Sequence, residues 1–426
     1  MKEEAGELPY VLGVDVGTTR TAAALCRLGG AGRAEPEVVG LGGPGGGVAS
    51  SLQLTADGTF AVGEPGDPRW TATGFAARVG DGVPVVLGDE PFTAEELTAL
   101  MVSWVAGQVA AREGERAERI VLSHPVGWGV HHKGLMHQAL RVMGLDNVTL
   151  LAEPLAAAAG HSFARGPVGV FSLGSHAFGA AVVRPFEVVA WAESPDQDAG
   201  ADFDDLVFGH VRTELGRAFT ELDPQDPRTR GLYGRLRRDC EAAKRVLSGT
   251  FETAIPVHLP SGRVDVPLSR AKFDELIRSS VEQAVSVFER VVRGTPLEAT
   301  VLVGGSTRIP LISSLLPGRV VFEAAPETTA VKGAALAGRH MLLGPDDNEP
   351  IETSVLVRDD DPLLRFPVGD MDVPDTDFTA PPPRPPIDIT PLDLPERRSV
   401  KRVVRGLAVT GGRRRSRDAQ HSEDGR

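Results

Sequence analysis

Leu12-Gly13-Val14-Asp15-Val16-Gly17-Thr18-Thr19-Arg20, continued by the small apolar run Thr21 to Leu25, reads as a strand, a glycine turn and a second strand. Each residue type in that turn has a use if the ligand is a phosphate. Gly17 lets the backbone turn tightly and come close. The turn amides and the hydroxyls of Thr18 and Thr19 can donate to phosphate oxygens. Asp15, at the strand end, could hold a magnesium ion through its water shell. An ordinary β-turn also uses Asp and Gly, so the motif alone does not decide.

About 155 residues later the pattern returns. Val170-Phe171-Ser172-Leu173-Gly174-Ser175-His176, followed by Gly179 to Val183, again reads as strand, turn and strand. Two hairpins of one design imply two related lobes, although small residues also recur by chance. Around them short β-rich runs alternate with helical patterns as far as Leu343, which predicts an α/β architecture.

Two further segments complete the pattern. In Arg235 to Ser248, Leu236, Cys240, Ala243 and Leu247 form an apolar helical stripe, and Glu241, Lys244, Arg245 and Ser248 a polar one. Glu241 and Arg245 by themselves are the usual solvated i,i+4 ion pair. Val301-Leu302-Val303-Gly304-Gly305-Ser306-Thr307-Arg308-Ile309-Pro310 reads as a buried strand, a diglycine turn and a helix start. Such a turn lets a flat ring or a phosphate lie against the backbone, but it is also a generic strand-to-helix connection.

Composition narrows the classes. The formal net charge of −13 argues against a nucleic-acid-binding body. The two cysteines, Cys26 and Cys240, make neither a disulfide framework nor a metal site, which fits a reducing cytoplasm. The acidic N-terminus shows no signal-peptide pattern, and no apolar run approaches the ~20 residues that span a bilayer. His124, His131, His132 and His137 lack any zinc-type spacing, and Met136 and Met143, one heptad apart, read as core.

Taken in order, these motifs resemble the nucleotide-binding domain of the seventy-kilodalton heat-shock (DnaK-like) chaperones, in the actin and sugar-kinase ATPase superfamily. DGTFAVGEP at 57–65, LLAEPLAAAAG at 150–160, GADFDD at 200–205, SRAKFDELI at 269–277 and PETTAVKGAALAG at 326–338 extend the likeness over residues 9–343. The resemblance implies lobe I over about 9–165, lobe II over about 166–325 and a returning helix at 326–343, each lobe built on a mixed sheet of the ribonuclease-H type. It implies ATP or ADP between the lobes. Asp15, Gly17, Thr18, Thr19 and Gly174 would then face the phosphates and Mg2+. Glu241, Lys244, Arg245 and Ser248 would hold the adenosine, with Gly304, Gly305, Ser306, Arg308 and Ile309 closing the pocket.

The departures concentrate on hydrolysis. Where the family reads Asp-Leu-Gly-Gly-Gly-Thr-Phe-Asp, this chain has Ser172-Leu173-Gly174-Ser175-His176-Ala177-Phe178-Gly179. Both aspartates are gone. The family's catalytic lysine falls near Asp67, with Arg69 the nearest cation. Of the catalytic carboxylates, Glu153 and Asp15 remain. His176 could offer an N–H to the γ-phosphate, or it could be a solvated loop residue. The expectation is a nucleotide-gated regulatory or scaffolding protein with weak or no ATP hydrolysis, working with an unidentified protein partner. A slow ATPase serving separate substrate-binding partners is the alternative. A small-molecule kinase has less support, since no sugar-contact signature is visible.

After Gly344 no peptide-binding domain or lid is recognisable. Residues 344–396 are acidic and proline-rich (PPPRPP at 381–386), and 397–426 are basic, with Arg413, Arg414 and Arg415 in a row. The expectation for both is disorder. The basic tail is either solvated or docks on an acidic protein, membrane lipid or nucleic acid.

Overall fold

The computed structural model describes residues 9–344, except 30–34, 64–65, 162–165, 186 and 195–197. The expectations for the proline-rich and basic segments therefore lie outside the described residues.

Lobe I begins with the hairpin β1 (Tyr10–Val16) and β2 (Arg20–Arg27), to which β3 (Glu37–Val38) adds antiparallel. Strand β4 (Arg119–His124) lies parallel to β1 on its other side, and β5 (Val148–Ala152) parallel to β4. Lobe II repeats this plan strand for strand. The hairpin β6 (Val168–Leu173) and β7 (Phe178–Arg184) carries β8 (Glu187–Ser194) antiparallel on one side. On the other side come β9 (Ala299–Val303) and β10 (Val320–Val321), both parallel. The internal repeat is therefore a duplication of topology and not a coincidence of small residues. The fold is the two-lobed, actin-like α/β architecture that the sequence predicts.

The central strands read as apolar runs because both sheet faces are covered. On the outer face of lobe I lies α1 (Ala94–Glu113), which starts at a capping box. The Glu96 amide donates to Thr93 Oγ1 at 3.2 Å, and the Thr93 amide donates to Glu96 Oε2 at 2.8 Å. It ends at Gly114 in the left-handed region. α2 (Val130–Val142) packs beside it and buries Met136, with Met143 covered just past its end. In lobe II, α4 (Gly200–Leu215), α5 (Pro227–Leu247) and α6 (Arg270–Val292) cover the outer face. The expected stripe of α5, Leu236, Cys240, Ala243 and Leu247, is buried in that core.

The inner faces are joined by two exchanged helices. α3 (Glu153–Ala159) leaves β5 and lays Leu155, Ala157 and Ala158 on the sheet of lobe II. α7 (Thr329–Leu343) follows lobe II and lays Val331, Ala334 and Ala335 on the sheet of lobe I. Where the two helices cross, a Cβ on Gly333 would sit 1.7 Å from the Ala156 carbonyl oxygen. No side chain fits between those backbones.

Gly333→Ala should therefore destabilise the chain by about 1–3 kcal/mol or more through forced separation of the helices. Gly107→Ala is the control. That glycine lies mid-helix with open space around its Cβ, and the change should stabilise by roughly 0.5–1 kcal/mol. Thermal unfolding of both variants checks the contrast, and equal midpoints would contradict the crossing geometry.

Candidate functional site: the interlobe cleft

The two hairpin turns face each other across a cleft of about 880 Å3. Every position that the sequence assigns to the nucleotide borders it. Asp15, Gly17, Thr18 and Thr19 come from the first turn and Gly174 from the second. Glu241, Lys244, Arg245 and Ser248 come from the last turns of α5, and Gly304, Gly305, Ser306, Arg308 and Ile309 from the loop after β9. Glu153, at the first turn of α3, lies with them.

Backbone crowding explains the diglycine turn. Gly304 has φ +90°, and a Cβ there would lie 2.5 Å from the Leu173 carbonyl oxygen. The ends of β6 and β9 can touch only through glycine. Ser306 Oγ donates to the Gly174 carbonyl at 2.7 Å, and the Gly200 amide to the same oxygen at 3.1 Å. The second turn is thus tied both to the diglycine loop and to the start of α4. Ile309 is 2% exposed and belongs to the core of lobe II, so it shapes the wall from beneath.

The cations at the rim already have partners. Lys244 donates to the Gly200 carbonyl and, at 2.8 Å, to Asp204 Oδ2. Burial holds the Asp204 carboxyl above the usual carboxylate range, and Lys244 pulls the other way. Arg245 donates to Glu241 at 2.5 Å, so the i,i+4 pair expected on a solvated helix is present and stands at the cleft edge. Arg308 makes a two-pronged contact with Glu327, at 2.9 and 2.7 Å. Ser248 caps the end of α5, its Oγ 3.5 Å from the Lys244 carbonyl.

On the floor, Ser123 Oγ donates to Asp15 Oδ1 at 2.5 Å and Ser172 Oγ to Glu153 Oε1 at 2.6 Å. Desolvation, then the neighbouring Asp15 charge, push the Glu153 carboxyl up to about 7, and the Ser172 hydroxyl opposes this. Asp15 is likewise raised by burial. Arg69 does not enter the site. It is exposed and locked onto Asp67 at 2.6 Å, outside the cleft lining. Among the surveyed histidines, His124 is buried, its Nδ1–H donating to the Pro125 carbonyl at 2.7 Å. Burial lowers its pKa to about 4, and its ring stacks on Trp128 at 5.4 Å.

Sequence reasoning missed several residues that share the cleft. Arg20 opens β2 and faces the Arg245 and Glu241 side; burial and then Arg245 lower its pKa. Glu193 reaches across the lobes to the Gly127 amide at 3.3 Å. Glu327 partners Arg308, and Ser123 partners Asp15 and the Val14 carbonyl. Arg20 stood next to the quoted turn and was the one visible signal among them.

A two-lobed fold with a cleft walled by two hairpin turns, a helix end and a diglycine loop defines the actin-like nucleotide-binding architecture. The family model described as "Hsp70 protein" matches residues 77–339, well over half the chain. The chain belongs to the Hsp70 family. It is 28% identical over 328 residues to the chaperone protein DnaK of Elusimicrobium minutum, covering 71% of this chain and 52% of that protein. The DnaK of Thermoplasma volcanium is 26% identical over 380 residues, 81% of this chain and 61% of its own. For that of Methanothermobacter thermautotrophicus the identity is 26% over 362 residues, with coverage of 77% and 60%. The chain thus spans between half and three fifths of the length of these relatives. Among the described residues no helix is long and apolar enough to cross a membrane.

The family's nucleotide brings Mg2+, and the cleft suits that ion poorly. Hydrated Mg2+ needs several oxygen acceptors for its waters. Here the floor offers Asp15 and Glu153, each already accepting from a serine, and the wall of lobe II offers Ser172 opposite Gly179, with Glu193 beside it accepting from the Gly127 amide. Among the described residues no group of three or more His, Cys, Asp and Glu side chains could hold a metal.

The raised Glu153 carboxyl sets a pH dependence. Its folded-state value of about 7 lies above the ordinary 4.5, so the folded chain binds this proton more tightly than the unfolded one. The resulting stability is full below about pH 4.5 and is lost as pH rises through 7. In metal-free buffer Glu153→Gln should melt above the unsubstituted chain at pH 8 and not at pH 4.5. A gap that does not change with pH contradicts the assignment.

Proposed function

We propose that this chain binds ATP or ADP between its lobes, hydrolyses it weakly or not at all, and uses the bound nucleotide to set a surface for a protein partner. The adenosine goes to the Glu241, Lys244, Arg245 and Ser248 side, against Gly304, Gly305, Ser306, Arg308 and Ile309. The phosphates lie between Gly17, Thr18 and Thr19 on one turn and Gly174 on the other. What supports this reading is the convergence of all these positions on one cleft within a chain of the Hsp70 family.

One observation carries the low turnover. At the paired strand ends next to the phosphate turns, lobe II presents Ser172 and Gly179, a hydroxyl and a hydrogen, and the carboxylate alongside, Glu193 on β8, accepts from the Gly127 amide at 3.3 Å. Phosphoryl transfer depends on positioned water and charge neutralisation. Each missing acid–base or charge-stabilising group costs ~10²–10⁴ in rate. Arg69, held by Asp67, supplies no replacement cation. Binding without turnover still does work, since a ligand that prefers the closed lobes shifts the population toward them.

A second reading, a slow ATPase serving separate substrate-binding partners, rests on Asp15 and Glu153 standing together on the cleft floor. Glu153 would then act on the attacking water. Steady phosphate release well above a Gly304→Val control favours it, and none with varied metal ions removes it.

The main reading predicts that ATP or ADP at 100 times its dissociation constant stabilises the fold by ~2.7 kcal/mol. Differential scanning should show the unfolding midpoint rise with either nucleotide. Gly304→Val, whose side chain meets the Leu173 carbonyl, should abolish the rise. No shift with any adenine nucleotide would falsify the proposal.

A further inference from the structure

The two turns share one construction. The Gly17 amide donates to the Arg20 carbonyl at 3.0 Å, and the Gly174 amide to the Ala177 carbonyl at 2.9 Å. Thr19 and His176 are the third residues of their turns, and they meet tip to tip, with Thr19 Oγ1 3.4 Å from His176 Nδ1. An imidazole from lobe II and a hydroxyl from lobe I therefore stand side by side where the phosphate turns meet.

Behind His176 neither Ser172 nor Gly179 is an acid, Glu193 on the neighbouring strand accepts from the Gly127 amide, and packing does not forbid a carboxylate at Gly179. A Cβ on Gly179 would make only ordinary contacts, 3.8 Å to Ser172 Cβ and 3.9 Å to Glu193 Cγ, and its φ is not positive. A carboxylate could stand there, and a wall without one at that position repels a bare polyphosphate less. The same absence removes acceptors that a hydrated divalent ion would need.

We propose that His176 takes the place of the divalent ion: the cleft binds the free nucleotide anion, with the terminal phosphate accepting side by side from His176 and Thr19. The inference rests on the nucleotide-binding reading above and adds which ionic form of the nucleotide is bound. An imidazole N–H donating to a phosphate oxygen is a charge-assisted hydrogen bond, among the stronger single contacts a side chain can make. A diphosphate, one phosphate shorter, gains less from it. The cleft therefore prefers ATP to ADP and is indifferent to Mg2+.

Calorimetric titration of the full chain with ATP and with ADP, in EDTA and in excess Mg2+, tests this. The expected dissociation constant for ATP is the same in both buffers to within about threefold. His176→Ala should weaken ATP binding on the order of tenfold and ADP binding much less, in either buffer. His176→Gln, which keeps an N–H donor, should recover part of the loss. Both residues of the tip contact are exposed, so the unfolding midpoint without nucleotide should stay unchanged. A tenfold or larger gain in ATP affinity on adding Mg2+ overturns the proposal, as does an ATP-to-ADP ratio that His176→Ala leaves unaltered. Absence of heat with every nucleotide in both buffers defeats the nucleotide-binding reading itself.

Discussion

The crossing of α3 and α7 at Gly333 and Ala156 is the constraint on which the rest of the molecule depends. Each lobe gives up one helix to the sheet of the other, and the two helices can lie backbone to backbone only because a glycine stands at the crossing. That contact sets the distance between the sheets. The distance in turn decides that the two hairpin turns, at the same ends of equivalent strands, look at each other across one cleft. Gly13, whose Cβ would lie 2.3 Å from the Val331 carbonyl, repeats the device on the sheet of lobe I.

Charge is distributed in that cleft in two layers. On the floor two carboxyl groups share little solvent, and each accepts a hydrogen bond from a serine hydroxyl. Around the rim Lys244, Arg245 and Arg308 are paired with Asp204, Glu241 and Glu327, which come from α4, from α5 itself and from the approach to α7. A ligand that reaches these cations must compete with carboxylates already in place, so the rim pairs set how selective the cleft is. In the wall between the layers Ser172 and Gly179 carry no charge, and Glu193 beside them accepts from the Gly127 amide across the lobes.

Much of this was legible beforehand. Hairpin 12–25 and its echo at 170–183 emerged as strand–turn–strand units, and the apolar stripe of α5 is buried as its period required. Local chemistry decides such features: turns need glycine, and a helix needs an apolar face at 3.6 spacing. Arg20, Glu193, Asp204 and Glu327 were not legible as members of the site. Their roles come from strand register, as where Arg20 pairs with Ala49, or from helices far off in sequence, and neither leaves a periodic mark. Arg69 shows the reverse: near the expected lysine in sequence, it is captured by a neighbour two residues away.

The chain by itself determined its repeated hairpins, its helical stripes and the loss of acidic residues from the second turn, because each is a property of residues within a few positions of one another. Only the tertiary structure decided that Thr19 meets His176, that Ser172 engages Glu153, and that Lys244 and Arg308 are already paired. Most of those contacts join segments brought together by the helix crossing and the sheet registers, and distance along a chain carries no record of distance in space.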